Sequence, residues 1–130
     1  MSEIRRYSTG NVWEESVGFS RAVRIGNTIL TAGTVAADET GKIHGSDCYA
    51  QCVYIFRKLE KALAALGGNF GDVVKTTCFL VDLKDSEGFT RAHGEIFGEI
   101  RPVATCVQVA GLFGEGALAE IELVAVVREA

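Results

Sequence analysis

Residues 72–83 read DVVKTTCFLVDL, and this stretch decides the fold. Successive side chains of a strand point to opposite faces, so even and odd positions of the stretch form two separate rows. In its second half both rows become apolar, with Cys78 and Leu80 in one and Phe79 and Val81 in the other. A strand that is apolar on both faces is typically covered on both sides. We therefore expect this strand inside a sheet with two buried faces.

Two helices are predicted, one before and one after this strand. In residues 48–66, apolar side chains recur every three or four positions, which indicates an amphipathic helix. Ser46 and Asp47 are candidate N-caps, and the Gly67–Gly68 pair provides the stop. Arg57, Lys58, Glu60 and Lys61 fall mainly on the polar side of this helix. A second helix is predicted over residues 86–97.

The remaining apolar segments are predicted to be strands. Residues 19–25 and 28–32 flank a Gly26–Asn27 turn and form a hairpin. Residues 104–110 and 118–127 supply two more strands. The order is β-β-α-β-α-β-β, with an optional extra strand at residues 4–8.

This order describes one α+β domain over residues 1–130, since 130 residues suit a single core. Two helices can cover one face of a five- or six-stranded sheet, but not both. Phe79, Val81 and Val124 nevertheless place apolar groups where no helix remains to cover them. Because an apolar layer must be buried somewhere, the expected cover is another copy of the chain, in a homo-oligomer.

The charge balance excludes several classes of partner. There are 13 basic and 17 acidic residues, a formal net charge of −4. Nucleic-acid binders and polybasic membrane anchors need clustered cations, so neither partner is expected. No apolar run approaches the ~18 residues of a membrane span, and residues 1–6 do not resemble a signal peptide. We expect a cytoplasmic protein.

The four cysteines are expected to be reduced thiols, and no metal site is expected. His44, Cys48 and Cys52 are spaced four apart, which could align ligands on a helix. However, the predicted helix begins after His44, and no second cysteine pair completes a tetrahedral set.

Glu120 is the main candidate for chemistry. It lies in residues 118–127, LAEIELVAVV, an otherwise apolar predicted strand. Burying a carboxylate is costly unless it is paired or protonated, so such positions often have a shifted pKa and a function. The alternative is an edge strand that leaves Glu120 and Glu122 in water. Tyr7, Trp13 and Phe19 could line a pocket or belong to the core.

Four segments, in order, resemble the RidA family, also called YjgF. They are GFSRAV at 18–23, GNTILTAG at 26–33, DVVKTTCFLVDL at 72–83 and EIE at 120–122. The resemblance covers nearly the whole chain. It implies a chorismate-mutase-like fold, in which a six-stranded mixed sheet carries two helices on one face. Three such subunits join their sheets into a central barrel, with small-molecule sites in the clefts between subunits.

The resemblance also implies an activity and a set of site residues. RidA-type enzymes hydrolyse reactive enamines and imines to 2-keto acids and ammonia, without a metal or an organic cofactor. Glu120 matches the catalytic glutamate, and Cys106 matches a cysteine that lines the site. Phe19 stands where the family usually has tyrosine. The expected substrate-binding residues are Phe19, Arg21, Ala32, Gly33, Ala104, Thr105 and Cys106.

One departure from the family pattern concerns the substrate. The motif P-x-R-[ST] reads Pro102-Val103-Ala104-Thr105 here, so a methyl group replaces the arginine that binds the substrate carboxylate. Arg21 or Arg101 could reach the cleft from a neighbouring subunit instead. The alternative, which we favour from sequence, is that both are surface ion-pair residues.

Three functions follow from these observations. The first is a RidA-like hydrolase or deaminase with an altered substrate. The second is a non-catalytic trimer that binds a small metabolite. An endoribonuclease ranks last, because the chain is acidic and lacks a basic surface rich in aromatic residues.

Overall fold

The computed structural model describes residues 3–128. Met1 and Ser2, part of the segment expected not to be a signal peptide, lie outside the described residues. The strands are β1 (Ile4–Tyr7), β2 (Ala22–Ile25), β3 (Thr28–Thr31), β4 (Val73–Leu80), β5 (Val103–Gln108) and β6 (Ala119–Val126). The helices are α1 (Val12–Val17), α2 (Cys48–Ala65) and α3 (Ser86–Phe97).

The six strands form one mixed sheet in the order β1-β2-β3-β6-β4-β5. All neighbours are antiparallel except β4 and β5, which are parallel. The predicted hairpin is confirmed, since β2 and β3 pair from Ala22 with Thr31 to Ile25 with Thr28. The optional first strand also forms, as β1 on the outer edge of β2.

Helices α2 and α3 cover one face of the sheet. The alternate residues of β6 that face them, from Ala119 to Ala125, are buried in one core with Ile55, Leu59 and Phe89. Asp47 caps α2 as predicted, since its carboxylate accepts a hydrogen bond from the N–H of Ala50 at 2.8 Å.

The Gly67–Gly68 pair ends α2. The N–H of Gly68 donates to the carbonyl of Leu63 at 2.8 Å, and the N–H of Gly67 donates to the carbonyl of Ala64 at 3.1 Å. These two bonds are the Schellman motif, in which the first residue after the cap is left-handed. Gly67 has a φ of +85°, which glycine adopts without a steric penalty.

Neither α2 nor α3 covers the other sheet face. We call it the bare face, and its large exposed apolar side chains are Ile4, Ile25, Leu30, Val103, Val107 and Val126. Val103 on the edge strand β5 is 66% exposed, and Leu30 on the inner strand β3 is 46% exposed. This distribution agrees with the sequence argument that two helices leave one face uncovered.

The sequence patterns left one element unpredicted and misplaced the ends of two strands. Residues 12–17 form α1, which the sequence analysis did not predict. The first hairpin strand begins at Ala22 rather than residue 19, because α1 ends at Gly18 in a left-handed conformation and the chain needs residues 19–21 to turn into the sheet. The strand of residues 72–83 ends at Leu80, since Asp82 accepts a hydrogen bond from Lys84 and starts a 3-10 turn.

Candidate functional site

A cavity of about 210 Å³ lies where β3 leaves the sheet and β6 enters it. We call it the Glu120 pocket. Its lining residues are Asn11, Trp13, Val17, Phe19, Arg21, Gly33, Val35, Lys58, Phe113 and Glu120. The walls are largely apolar, with four ionisable or amide side chains among them, which is the usual composition of a small-molecule site.

Glu120 is half-buried on the bare-face side of β6, where it pairs across the sheet with Phe79. Burial raises the pKa of Glu120 above its ordinary value. The nearby charge of Glu122 raises this pKa further, while Arg21 opposes the shift. A carboxyl with a raised pKa is a stronger base than an exposed one, so it is better suited to take a proton from water.

Gly33 makes room for the Glu120 carboxyl. A methyl group built on Gly33 would overlap the carboxylate oxygen Oε1 of Glu120. Ala32, its predicted neighbour in the site, does not line the pocket; its N–H donates to the carbonyl of Arg21 at 2.9 Å. Gly33 therefore acts through the space it leaves, and Ala32 holds the Arg21 backbone.

Arg21 forms a buried ion pair with Glu14 of α1. Its Nε lies 3.0 Å from Oε2 of Glu14, and the two side chains are only 5% and 2% exposed. Its Nη1 donates to the carbonyl of Gly33 at 2.9 Å and to the hydroxyl of Thr34 at 3.2 Å. The surface ion-pair interpretation of Arg21 is therefore wrong, because α1 folds over it. Arg21 instead lines the pocket of its own chain.

Burial raises the pKa of Glu14, but hydrogen bonds more than reverse this effect. Thr9 and Ser8 donate to its carboxylate through their hydroxyls, Thr9 also through its N–H, and Arg21 adds a further bond. The net pKa of Glu14 lies below its ordinary value. Glu14 is thus a carboxylate that holds the guanidinium of Arg21 in place.

The predicted site residues on β5 do not reach this pocket within one chain. Ala104 and Cys106 pair with Thr76 and Cys78, two positions of β4 whose side chains are buried on the helix side. Thr105 pairs with Thr77 on the opposite side. All three β5 residues are exposed at the sheet edge, beyond β4 from Glu120.

Arg101 lies apart from the pocket. It follows α3, is exposed, and has a φ of +60°. Its N–H donates to the carbonyl of Phe97 at 2.9 Å, so its backbone helps to end the helix.

Lys58 lines the pocket, although the sequence pattern did not predict it there. It was placed on the polar side of α2, but it is half-buried and its Nζ lies 2.6 Å from the carbonyl of Ala37. The loop after β3 crosses α2 at this point, and no local pattern predicts that crossing. No sequence pattern assigned Asn11, Val17, Val35 or Phe113 to the pocket, whereas Trp13, left open as pocket or core, lines it.

The three residues weighed as metal ligands have other partners. Nε2 of His44 lies 2.9 Å from Oδ2 of Asp38, and the sulfurs of Cys48 and Cys52 lie 3.9 Å apart in the core. Across residues 3–128, no three His, Cys, Asp or Glu side chains are arranged to hold a metal ion. Over the same range, no helix has the length and apolar character needed to cross a membrane.

Comparison with known proteins gives concordant results. Residues 10–127 match the family model described as endoribonuclease L-PSP. An uncharacterized protein of Streptomyces coelicolor is 34% identical over 120 residues, 92% of this chain and 90% of that protein. The 2-iminobutanoate/2-iminopropanoate deaminase of Escherichia coli is 33% identical over 118 residues, 85% of this chain and 88% of the enzyme.

The fold has close counterparts among solved structures. The crystal structure of Rv2704 from Mycobacterium tuberculosis, a member of the YjgF/YER057c/UK114 family, superposes with a TM-score of 0.89 at 37% identity. The match covers 96% of this chain and all of Rv2704 (100%).

Proposed function

Because this chain belongs to the YjgF/RidA family, we propose that it hydrolyses a small reactive enamine or imine to a carbonyl compound and ammonia. The observation that carries the proposal is the Glu120 carboxyl, half-buried in a small pocket with its pKa raised by burial. The deaminase among the relatives supplies the reaction class.

In this reaction Glu120 accepts a proton from water as the water oxygen adds to the carbon of the protonated imine, which an enamine forms by taking a proton from solvent at its β-carbon. Glu120 then returns that proton to the nitrogen of the resulting carbinolamine, which leaves as ammonia while the C=O bond forms and the hydroxyl proton passes to solvent. A positioned acid-base group typically contributes 10²–10⁴-fold to such a step. Gly33 sets the position of the Glu120 carboxyl, and the Arg21–Glu14 pair holds the adjacent wall.

The substrate is proposed to differ from that of the family's arginine-containing members. Ala104 provides no cation on β5, so an acid group cannot be bound there by the bidentate pairing that a guanidinium makes. The ligand must therefore be held by other groups of the pocket.

The working form is proposed to be a homotrimer with its ligand sites between subunits. The bare face supports an assembly, because its apolar side chains need a cover. In such an assembly, Thr105 and Cys106 on the exposed β5 edge would be available to the site of a neighbouring copy.

A hydrolysis assay tests the activity. 2-Aminoacrylate, and 2-imino acids formed from several amino acids by an amino-acid oxidase, are generated in situ while keto acid and ammonia are measured. We expect release above background from at least one of them, and a decrease of about 100-fold in Glu120→Gln, which keeps the shape but loses the base.

Glu99→Gln is the matched control, because Glu99 is exposed, follows α3 and does not line the pocket. Its activity should stay near that of the parent protein. Background rates with all of these imino acids would contradict hydrolysis of 2-imino acids and would favour either an altered substrate or the non-catalytic metabolite-binding trimer. Ribonuclease activity that persisted in Glu120→Gln would point to another site or a contaminant.

A further inference from the structure

Lys58 brings a second cation to the Glu120 pocket. A lysine ammonium has three N–H donors. One of them is used by the carbonyl of Ala37 at 2.6 Å, and the hydrogen bonds within residues 3–128 include no other partner for Nζ. Lys58 thus reaches the pocket with donors that the described part of the chain does not use.

Arg21 reaches the same pocket with an unused nitrogen. Its Nε and Nη1 are bound to Glu14, Gly33 and Thr34, while its Nη2 has no hydrogen-bond partner in the described residues. Every fully buried side-chain nitrogen or oxygen in residues 3–128 has a hydrogen-bond partner. Because Nη2 has none, it is not fully buried, and it accounts for part of the 5% exposure of the Arg21 side chain. The pocket is the open space that Arg21 lines.

Glu14 pairs with Arg21, but no carboxylate in residues 3–128 forms an ion pair with Lys58. Burial lowers the pKa of Lys58 to about 8, and the charge of Arg21 lowers it as well. Glu14, Asp38 and Glu39 act in the opposite direction without restoring the usual pKa of Lys58. At neutral pH Lys58 is still mainly protonated, and a negative group placed beside it would be stabilised by both cations.

The rest of the pocket favours an apolar ligand body. Trp13, Phe19, Val35 and Phe113 contribute walls, and the guanidinium carbon of Arg21 lies 5.1 Å from the ring centre of Phe19. The carboxyl of Glu120 disfavours a second negative group beside it when it is ionised. The negatively charged end of a ligand is thus expected to bind Lys58 and Arg21. The uncharged part of the ligand would then lie beside Glu120.

We propose that Lys58 and Arg21 of one chain form a subsite for the acid group of a small carboxylate, whose apolar part packs against the aromatic walls. This inference rests on the proposed function only where it assigns a role to Glu120. It names small carboxylates with an apolar part as the substrate class of the Glu120 pocket. The subsite differs from a clamp on β5, because both cations come from the chain that carries Glu120.

A binding titration tests the subsite without using catalysis. Phenylacetate and its uncharged analogue phenylacetamide are titrated into the full chain by calorimetry. We expect phenylacetate to bind at least about tenfold more tightly, since a hydrogen bond to a charged group contributes about 1.5–3 kcal/mol and 1.4 kcal/mol is tenfold.

Lys58→Gln should remove most of this preference and leave phenylacetamide binding unchanged. Lys61→Gln is the matched control, because Lys61 lies one turn further along α2, is exposed, and does not line the Glu120 pocket. Arg21→Lys should also weaken the binding of phenylacetate. It keeps a charge beside Glu14 and so preserves folding better than an alanine substitution would. Thermal melting confirms that each variant is folded.

Three results would overturn the subsite: no phenylacetate binding by the parent protein, equal affinities for acid and amide, or an unchanged preference in Lys58→Gln. These results are independent of the hydrolysis assay. If Glu120→Gln left hydrolysis unaffected while the Lys58 preference held, the reaction assignment would fail and the anion subsite would stand.

Discussion

The absence of a side chain at Gly33 leaves room for the carboxyl group of Glu120. A methyl group there would meet the carboxylate of Glu120, which is the far end of a flexible side chain. We therefore predict that Gly33→Ala displaces the carboxylate and leaves the fold intact. Hydrolysis should fall by about 100-fold, since a misplacement of about 1 Å can cost that much, while the melting temperature changes little.

Gly111→Ala is the control for this substitution. Gly111 is exposed, has no positive φ, and would present its methyl group to open space, with nothing within 4 Å. Its activity should equal that of the parent protein. Full activity in Gly33→Ala would show that the position of Glu120 is not set by this contact.

Lys58 and Arg21 show why single residues were hard to assign from sequence. The helical pattern placed Lys58 on a polar face, and the strand pattern placed Arg21 beside Phe19. Both patterns describe local direction only. The contacts that matter join Lys58 to Ala37 and Arg21 to Glu14, and these depend on a loop crossing and on the short helix α1.

At the scale of elements, the end of α2 is set by glycine. Gly67 has a φ of +85°, and a methyl group there would also lie 2.8 Å from Nη1 of Arg24. That nitrogen donates to the carbonyl of Leu66 at 2.8 Å and so helps to close the helix end. Gly67→Ala should destabilise the protein by about 1–2 kcal/mol, the cost of a left-handed conformation for an L-residue.

Chemical denaturation measures this effect, with Gly94→Ala as the opposite control. Gly94 lies inside α3, is exposed, and would present its methyl group to open space. Alanine is favoured there by up to about 1 kcal/mol, so the urea midpoint should rise in Gly94→Ala and fall in Gly67→Ala. Equal midpoints would contradict the helix-end argument.

The elements themselves were largely predictable. Helix α3 spans Ser86–Phe97 as expected, and α2 has the expected cap and stop. The errors lie where periodicity gives no signal: α1 is only 6 residues long, and the end of β4 depends on a hydrogen bond that the Asp82 carboxylate accepts from the N–H of Lys84.

For the whole molecule, the bare face predicts assembly. We expect sedimentation to give three times the 13.9 kDa chain mass. Val107→Asp places a charge on the bare face, where Val107 is 40% exposed, and should dissociate the assembly, because an unpaired charge in an apolar interface is costly.

Val12→Asp is the control, since Val12 is 50% exposed but starts α1 instead of lying on the sheet. An acidic residue is also well tolerated in the first turn of a helix. The parent protein sedimenting as a single chain, or Val107→Asp keeping the assembled mass, would contradict the role given to the bare face.

The sequence by itself determined the class of the fold, most elements and the hairpin, and it singled out Glu120 as the main candidate for chemistry. These features depend on periods of 2 and 3.6 residues and on local turn chemistry, which neighbouring residues encode. The resemblance to the RidA family, which rests on four short segments, implied the six-stranded mixed sheet with helices on one face and the expected chemistry.

Only the tertiary structure decided which side chains share a pocket. Arg21 pairs with Glu14 because α1 covers it, Gly33 faces Glu120 because β3 and β6 are neighbours, and Lys58 lies at the pocket because a loop crosses α2. Ala104 lies elsewhere because β5 is two strands from β6. Such contacts join residues distant in the chain, and periodicity carries no information about distant pairs.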